Sequence, residues 1–158
     1  MSDTWRTLLL LRRDNEVLLA MKKRGFGEGY WNGVGGKLEP GETVEQAMIR
    51  ECQEEIGVTP TKYSKMAELD FNSGNEKVGL ELYAYVFVAT EWQGEPTETE
   101  EMRPQWFNIN DIPYKTMWQD DPHWMPHVFA GKSLKGTFVF DEQDNLLSHE
   151  IIEVDPYV

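Results

Sequence analysis

The sequence predicts a single α/β domain over residues 1–158, a mixed β-sheet sandwiched between helices in an α/β/α arrangement. Three observations carry this expectation. Apolar runs of strand length alternate with two helical segments at non-repeating intervals, the pattern of a sheet with helices packed on it. No internal repeat or linker divides the 158 residues, a length that supports one sizeable core. Hydrophobic residues make up 40% and aromatics 12%, which excludes a disordered chain.

In chain order, Thr7 to Leu11 reads as a buried strand, Arg13-Asp14-Asn15 as a turn, and Val17 to Met21 as the returning arm of a hairpin. Lys22 to Gly29 is a basic, glycine-rich loop. Such a loop can offer backbone donors and ammonium groups to phosphates, or simply connect two strands. Trp31 to Val34 reads as a strand feeding Gly35-Gly36, where backbone can approach a ligand closely. Thr43 followed by Gln46 is a capping box, and Gly57 with Pro60 ends the helix between them. Lys65 to Phe71 and Val78 to Val88 are expected strands joined through Asn72-Ser73-Gly74-Asn75. Residues 91–101 are expected to be an acidic loop. Gln105 to Ile109 is a strand, followed by a turn at Asn110-Asp111-Ile112-Pro113. Asp121 reads as an N-cap with Pro122 at the first helical position, opening a helix toward Ala130 and Gly131 that Pro126 should disturb. Leu134 to Phe140 and Leu146 to Ile152 form a last hairpin.

The formal net charge of −13 argues against a polynucleotide partner, which would want a basic face. An acidic protein that binds an anionic nucleotide needs a metal between them. One cysteine, Cys52, excludes a disulfide framework and a cysteine zinc site, and reads as a small core residue. Without a basic N-terminal region followed by an apolar run, and without a bilayer-length apolar stretch, the expectation is a soluble, cytoplasmic monomer with no membrane partner.

The chemistry centres on the first helix. On a wheel at about 100° per residue, Val44, Ala47, Met48 and Cys52 share a face, with Glu51 and Glu55 among them and Glu54 at its edge. Gln46, Ile49 and Gln53 point away. Arg50 can hold Glu54 as an (i, i+4) pair, but no basic residue on the inward face serves Glu51 and Glu55. Unpaired buried carboxylates are costly, and three converging ones suit a hard divalent cation, Mg²⁺ or Mn²⁺. A solvated acidic face on a surface helix is the plain alternative.

Gly36, Glu42, Arg50, Glu51, Glu54, Glu55 and Gly57 fall at the fixed positions of the Nudix box, and the chain is identified as resembling the Nudix hydrolases. The resemblance implies the Nudix fold and cleavage of a nucleoside diphosphate linked to another group. Lys22 to Gly27, Trp31-Asn32-Gly33, Glu101 to Pro104, Trp106-Phe107, Met117-Trp118 and Asp120-Asp121 extend the likeness to the MutT-homologue branch found in animals. That branch implies Mg²⁺-dependent hydrolysis of oxidised purine nucleoside triphosphates, such as 8-oxo-dGTP or 2-oxo-dATP, to monophosphate and pyrophosphate. It also implies roles for particular residues: Gly36, Glu51, Glu54, Glu55 and Glu101 would hold metal, and Glu54, Glu55, Glu101 and Arg50 would serve catalysis. Thr7, Lys22, Phe26, Asn32, Gly35, Gly36, Lys37, Phe71, Trp118, Asp120 and Asp121 would form the nucleotide pocket. The side-chain chemistry agrees, since an indole is a stacking platform and Asn32, Asp120 and Asp121 can bond a purine edge. Helix capping for the aspartates and core packing for Trp118 are the plain alternatives. A Nudix enzyme for an ordinary dNTP, a modified adenine nucleotide or a nucleotide sugar, or a sensing module without turnover, are rival functions. The complete set of box glutamates favours an enzyme. Val34 and Gln119 stand where related chains have an aromatic and a proline, and the hairpin from Phe71 to Leu82 matches poorly.

Overall fold

The computed structural model describes residues 4–74 and 81–158. Eight strands, β1 (Trp5–Arg13), β2 (Glu16–Lys22), β3 (Trp31–Asn32), β4 (Thr59–Ser73), β5 (Glu81–Gln93), β6 (Met102–Asn108), β7 (Ser133–Phe140) and β8 (Leu146–Val154), form one mixed sheet among the described residues. Its order is β3-β2-β1-β5-β4-β7-β8, with β6 also paired to β2. The β1–β5 and β4–β7 pairs are parallel and the rest antiparallel.

Two helices, α1 (Val44–Ile56) and α2 (Asp121–Phe129), cover opposite faces. The period-two alternation of β1 divides its leucines between them. Leu9 and Leu11 pack with Met48, Cys52 and Ile56 of α1, while Leu10 packs with Trp124, Met125 and Val128 of α2. Both expected helices and the sandwich are present. Cys52 is fully buried in the α1-side core, as its helix face requires.

Helix α1 is set locally. The Thr43 hydroxyl accepts from the Gln46 N–H at 3.1 Å, and the Gln46 side chain accepts from the Thr43 N–H at 3.0 Å. Gly57 closes the helix at φ 72°, a left-handed conformation that glycine adopts without Cβ strain. Ile49 does not face away: it packs, partly buried, against the α1-side core, because the apolar stripe is wider than the wheel face suggested.

Several boundaries also move. β4 begins at Thr59 and β5 runs to Gln93, since the long antiparallel pairing carries polar residues such as Lys62 and Glu91 into the ladder. The acidic loop is correspondingly shorter. The third expected strand is only Trp31–Asn32, with Val34 joining Leu9 as an isolated bridge. Asn75 and the start of the strand expected from Val78 lie outside the described residues, as do residues 1–3. Asp121 is the first helical residue rather than the cap, and Asp120 at the cap position makes no side-chain capping bond. Helix α2 continues through Pro126, whose carbonyl still accepts from the Ala130 N–H at 3.1 Å. No helix among the described residues is long and apolar enough to cross a membrane.

Candidate active site

Glycine geometry docks α1 against the sheet. A Cβ on Gly35 would lie 1.8 Å from the Thr7 carbonyl oxygen, so only glycine allows this approach. The Thr7 N–H then donates to the Gly36 carbonyl at 2.9 Å, and the Gly35 N–H donates to Glu55 Oε1 at 2.9 Å. Gly36 lies close to the Glu51 carboxylate, where a Cβ would come within 2.7 Å of the carboxyl carbon. The Gly35-Gly36 backbone and the acidic edge of α1 thus meet at the open end of β1.

The glutamates occupy different environments. Glu55 is buried, and burial pushes its carboxyl up to about 8 despite the Gly35 N–H, with the charges of Glu51 and Glu101 adding to the rise. Glu51 is half-buried and raised for the same first reason, which the Arg50 contact partly offsets. Glu54 and Glu101 have side chains 59% exposed.

Arg50 has a larger part than the sequence assigned to it. Its guanidinium binds Glu42 at 2.6 and 2.9 Å, Glu51 at 2.9 Å, Glu54 at 3.2 Å and the Lys37 carbonyl at 3.1 Å. The expectation that Glu51 has no basic partner is therefore incorrect. The Arg50 contact also holds Glu42 below the usual carboxylate range. The fork geometry and pre-organised charge of arginine suit it to tie the loop before α1 to the helix.

The expected convergence of three carboxylates is not preformed. Among the described residues, no three His, Cys, Asp or Glu side chains are gathered closely enough to hold a metal ion. The cause is visible: Arg50 draws Glu51 and Glu54 toward itself, and Arg24 draws Glu101 at 3.5 Å. The donor set nevertheless fits a hard divalent cation. Burial and the neighbouring charges of Glu51 and Glu101 raise the Glu55 carboxyl, and burial with the charges of Glu54 and Glu101 raises Glu51. Oxygen donors of this kind suit a small divalent ion, which would relieve both effects.

Beside this edge a cavity of about 300 Å³ opens on the α2 side of the sheet. That is the lower end of the range for small-molecule sites. Thr7, Lys22, Phe26, Asn32, Gly35, Gly36, Phe71, Trp118, Asp120 and Asp121 of the expected pocket all line it. Lys37 does not: it is exposed, its carbonyl accepts from the Arg50 guanidinium, and its backbone forms an isolated bridge with Arg6. Trp118 stacks on Phe26 at 5.3 Å, meets Tyr30 edge-on at 5.0 Å and lines the cavity, partly exposed, so it is a cavity aromatic and not a core residue. Asn32 spends its carbonyl on the Gly33 N–H at 2.9 Å, which leaves its amide donors for a ligand.

Asp120 and Asp121 form the polar floor, 4% and 2% exposed. Asp120 Oδ2 accepts from the Trp124 indole N–H at 2.9 Å, whereas Asp121 Oδ2 has no partner among the described residues. Burial raises both carboxyls. At Asp120 the Trp124 N–H and the Asp121 carboxyl offset part of the rise, whereas the Asp120 charge pushes Asp121 well above the usual carboxylate range. A site that holds one carboxylate beside one carboxylic acid offers an acceptor and a donor side by side.

Sequence reasoning missed Tyr30 and Trp124, and placed Glu42 in the Nudix box without its bond to Arg50. The (i, i+4) spacing of Asp120 and Trp124 could have flagged the second. Nothing local flagged the eight-residue separation of Glu42 and Arg50.

The chain is 42% identical to the oxidized purine nucleoside triphosphate hydrolase of Mus musculus over 96% of each chain. It is 44% identical to the Danio rerio protein of the same name over 94% of each. A crystal structure of a MutT protein from Bacillus halodurans superposes with a TM-score of 0.82 at 28% identity, covering 93% of this chain and 96% of that one. The family model of the NUDIX domain matches residues 4–150, nearly the whole chain, and the protein belongs to the Nudix family.

Proposed function

We propose that the protein hydrolyses oxidised purine nucleoside triphosphates, 8-oxo-dGTP foremost, to the monophosphate and pyrophosphate, with Mg²⁺ as its metal. The observation that carries this reading is the placement of Asp120, Asp121 and Trp118 in one cavity that ends at the Gly35-Gly36 backbone and the acidic edge of α1. The names of the Mus musculus and Danio rerio relatives support it. The base stacks on Trp118 while the aspartates and the Asn32 amide bond its edge. Lys22, which lines the cavity, then faces the phosphates with Gly35 and Gly36.

The Gly36 carbonyl, Glu51, Glu54, Glu55 and Glu101 would hold the metal. A bound Mg²⁺ supplies charge neutralisation for the triphosphate and a water of lowered pKa. Arg50 fixes Glu51 and Glu54 beside the helix, and the Gly35 N–H orients Glu55. Glu54, Glu55 or Glu101 takes the proton from the attacking water. In this reading the protein acts as a monomer on free nucleotide in the cytoplasm.

Reaction with 8-oxo-dGTP and Mg²⁺ in ¹⁸O-labelled water tests the proposal. It predicts 8-oxo-dGMP without label and labelled pyrophosphate, the outcome of attack at the β-phosphorus. Diphosphate plus phosphate, or label in the monophosphate alone, would refute it.

A further inference from the structure

Gln119 is exposed, and an exposed glutamine is ordinarily left to solvent. Here both ends of its amide are engaged, and by one turn. Gln119 Oε1 accepts from the Leu146 N–H at 2.8 Å, and Gln119 Nε2 donates to Asn145 Oδ1 at 3.1 Å. The Leu146 backbone N–H can only donate, which fixes the orientation of the amide. Asn145 passes the order on, its Nδ2 donating to Asp141 Oδ2 at 3.3 Å. Asp141 Oδ1 in turn accepts from the N–H groups of Gln143 and Asn145 at 2.8 and 2.9 Å. Gln119 is thereby bonded to a turn that the Asp141 carboxylate already organises.

Both partners of this clasp carry residues of the nucleotide cavity, although Gln119 itself does not line it. Gln119 lies between Trp118 and Asp120, and the β7–β8 turn carries Asp144 and follows Phe140; all four line the cavity. The turn also abuts the end of β4. The Gly74 N–H donates to the Phe140 carbonyl at 3.1 Å, and a Cβ on Gly74 would lie 3.0 Å from the Glu142 nitrogen. β4 adds Phe71 and Ser73 to the same lining. We propose that Gln119 is a positioning residue for base recognition. Its clasp on the β7–β8 turn sets the gap between Trp118 with Asp120 and the wall that carries Phe140 and Asp144, and with it the affinity for the base. The proposal rests on the purine reading of the cavity.

No other hydrogen bond ties this segment to a distant part of the described chain. The remaining bonds of Trp118 to Asp120 are local: the Asp121 N–H donates to the Trp118 carbonyl, the His123 N–H to the Asp120 carbonyl, and the Trp124 indole to the Asp120 carboxyl. Ring contacts with Phe26 and Tyr30 hold Trp118 from the glycine-rich loop but do not reach the turn. The hairpin itself has independent support. β7 and β8 pair along their length, Leu146 and Ile151 pack on the α2-side core, and the His149 ring lies 4.0 Å from that of His123. Loss of the amide should therefore leave the hairpin docked and the protein folded, and change the gap alone.

The test is Gln119→Met, which keeps the unbranched length and removes both bonds. Gln119→Glu is the conservative variant, since it keeps an acceptor for the Leu146 N–H. Calorimetry without metal gives the affinity for 8-oxo-deoxyguanosine, a nucleoside that reads the base end alone. Inhibition by pyrophosphate reads the phosphate end alone, and steady-state assays give kcat and KM for 8-oxo-dGTP. In Gln119→Met the nucleoside affinity should fall about fivefold, the scale of one or two net hydrogen bonds. KM should rise by a similar factor and move more than kcat, while pyrophosphate inhibition holds. Gln119→Glu should fall between Gln119→Met and the parent. In an Asn145→Ala background Gln119→Met should cost less than it does in the parent, because one partner of the amide is already gone. Parental nucleoside affinity in folded Gln119→Met protein would overturn the proposal alone. So would equal weakening of nucleoside and pyrophosphate, the mark of general loosening. A parent that binds no oxidised purine nucleoside would overturn the purine reading and this proposal together.

Discussion

At the scale of single residues, Glu55 and the aspartate pair carry the account. Glu55 is buried on the helix edge, with its carboxyl raised to about 8 and one oxygen on the Gly35 N–H. Glu55→Gln keeps the volume and removes the charge. That variant should fold, lose most turnover in Mg²⁺, and lose the rise in Tm that Mg²⁺ gives the parent. Near-parental activity would remove Glu55 from the catalytic set. Asp120→Asn and Asp121→Asn each swap an acceptor for a donor in a pocket built to bond a polar edge. Each should cut kcat/KM for 8-oxo-dGTP on the order of 10²-fold or more, with unchanged Mg²⁺ affinity. The stability effect of Asp121→Asn runs the other way. Burial raises the folded-state pKa of Asp121, so the folded protein holds a proton that the unfolded chain releases above its ordinary 3.8. That contribution is fully present below 3.8 and is lost as pH rises through the raised folded value. Thermal unfolding across pH should therefore show Asp121→Asn gaining on the parent toward neutral pH while losing activity, a trade between stability and function. Equal Tm profiles for the two proteins would show that the carboxyl is not strained by its burial.

At the scale of elements, α1 is held by its ends and its glycine contact. Thr43→Ala breaks the reciprocal cap and should cost about 1 kcal/mol in denaturant unfolding, with little effect on kcat because Thr43 does not line the cavity. This helix was legible in the sequence because its signals are local: Thr43 with Gln46, Gly57 after Ile56, and the apolar spacing of Ala47, Met48 and Cys52. The reach of β4 and β5 was not, since Lys62 and Glu91 enter the ladder through pairing with a distant strand and not through their own preference. The same distinction explains the site. Adjacent Asp120 and Asp121 near Trp118 could be read as a pocket from sequence. The pull of Arg50 on Glu42, Glu51 and Glu54 could not, because Glu42 lies on the loop before the helix and only the fold brings it within 2.6 Å. A charge network that gathers Glu42, Glu51 and Glu54 on one guanidinium is invisible to a helical wheel, which is why carboxylates converging on a metal were expected and carboxylates held by Arg50 were found.

At the scale of the whole molecule, the sandwich places two unlike surfaces end to end. The α1 face contributes repelling carboxylates and close-packed glycine backbone, and the α2 face contributes an aromatic cavity with a polar floor. β1 joins them: its Thr7 lines the cavity and bonds Gly36, while its leucines pack in both cores. A net charge of −13 would repel a nucleotide triphosphate unless a cation mediates, so binding and turnover should both depend on divalent metal. The most direct test is a steady-state panel in Mg²⁺ that compares 8-oxo-dGTP and 2-oxo-dATP with dGTP, dATP and a nucleotide sugar, with products identified. The account predicts that kcat/KM for the oxidised purine triphosphates exceeds that for the ordinary ones, that monophosphate and pyrophosphate are the products, and that chelation abolishes turnover. Equal turnover of oxidised and ordinary nucleotides, or preference for the nucleotide sugar, would contradict it.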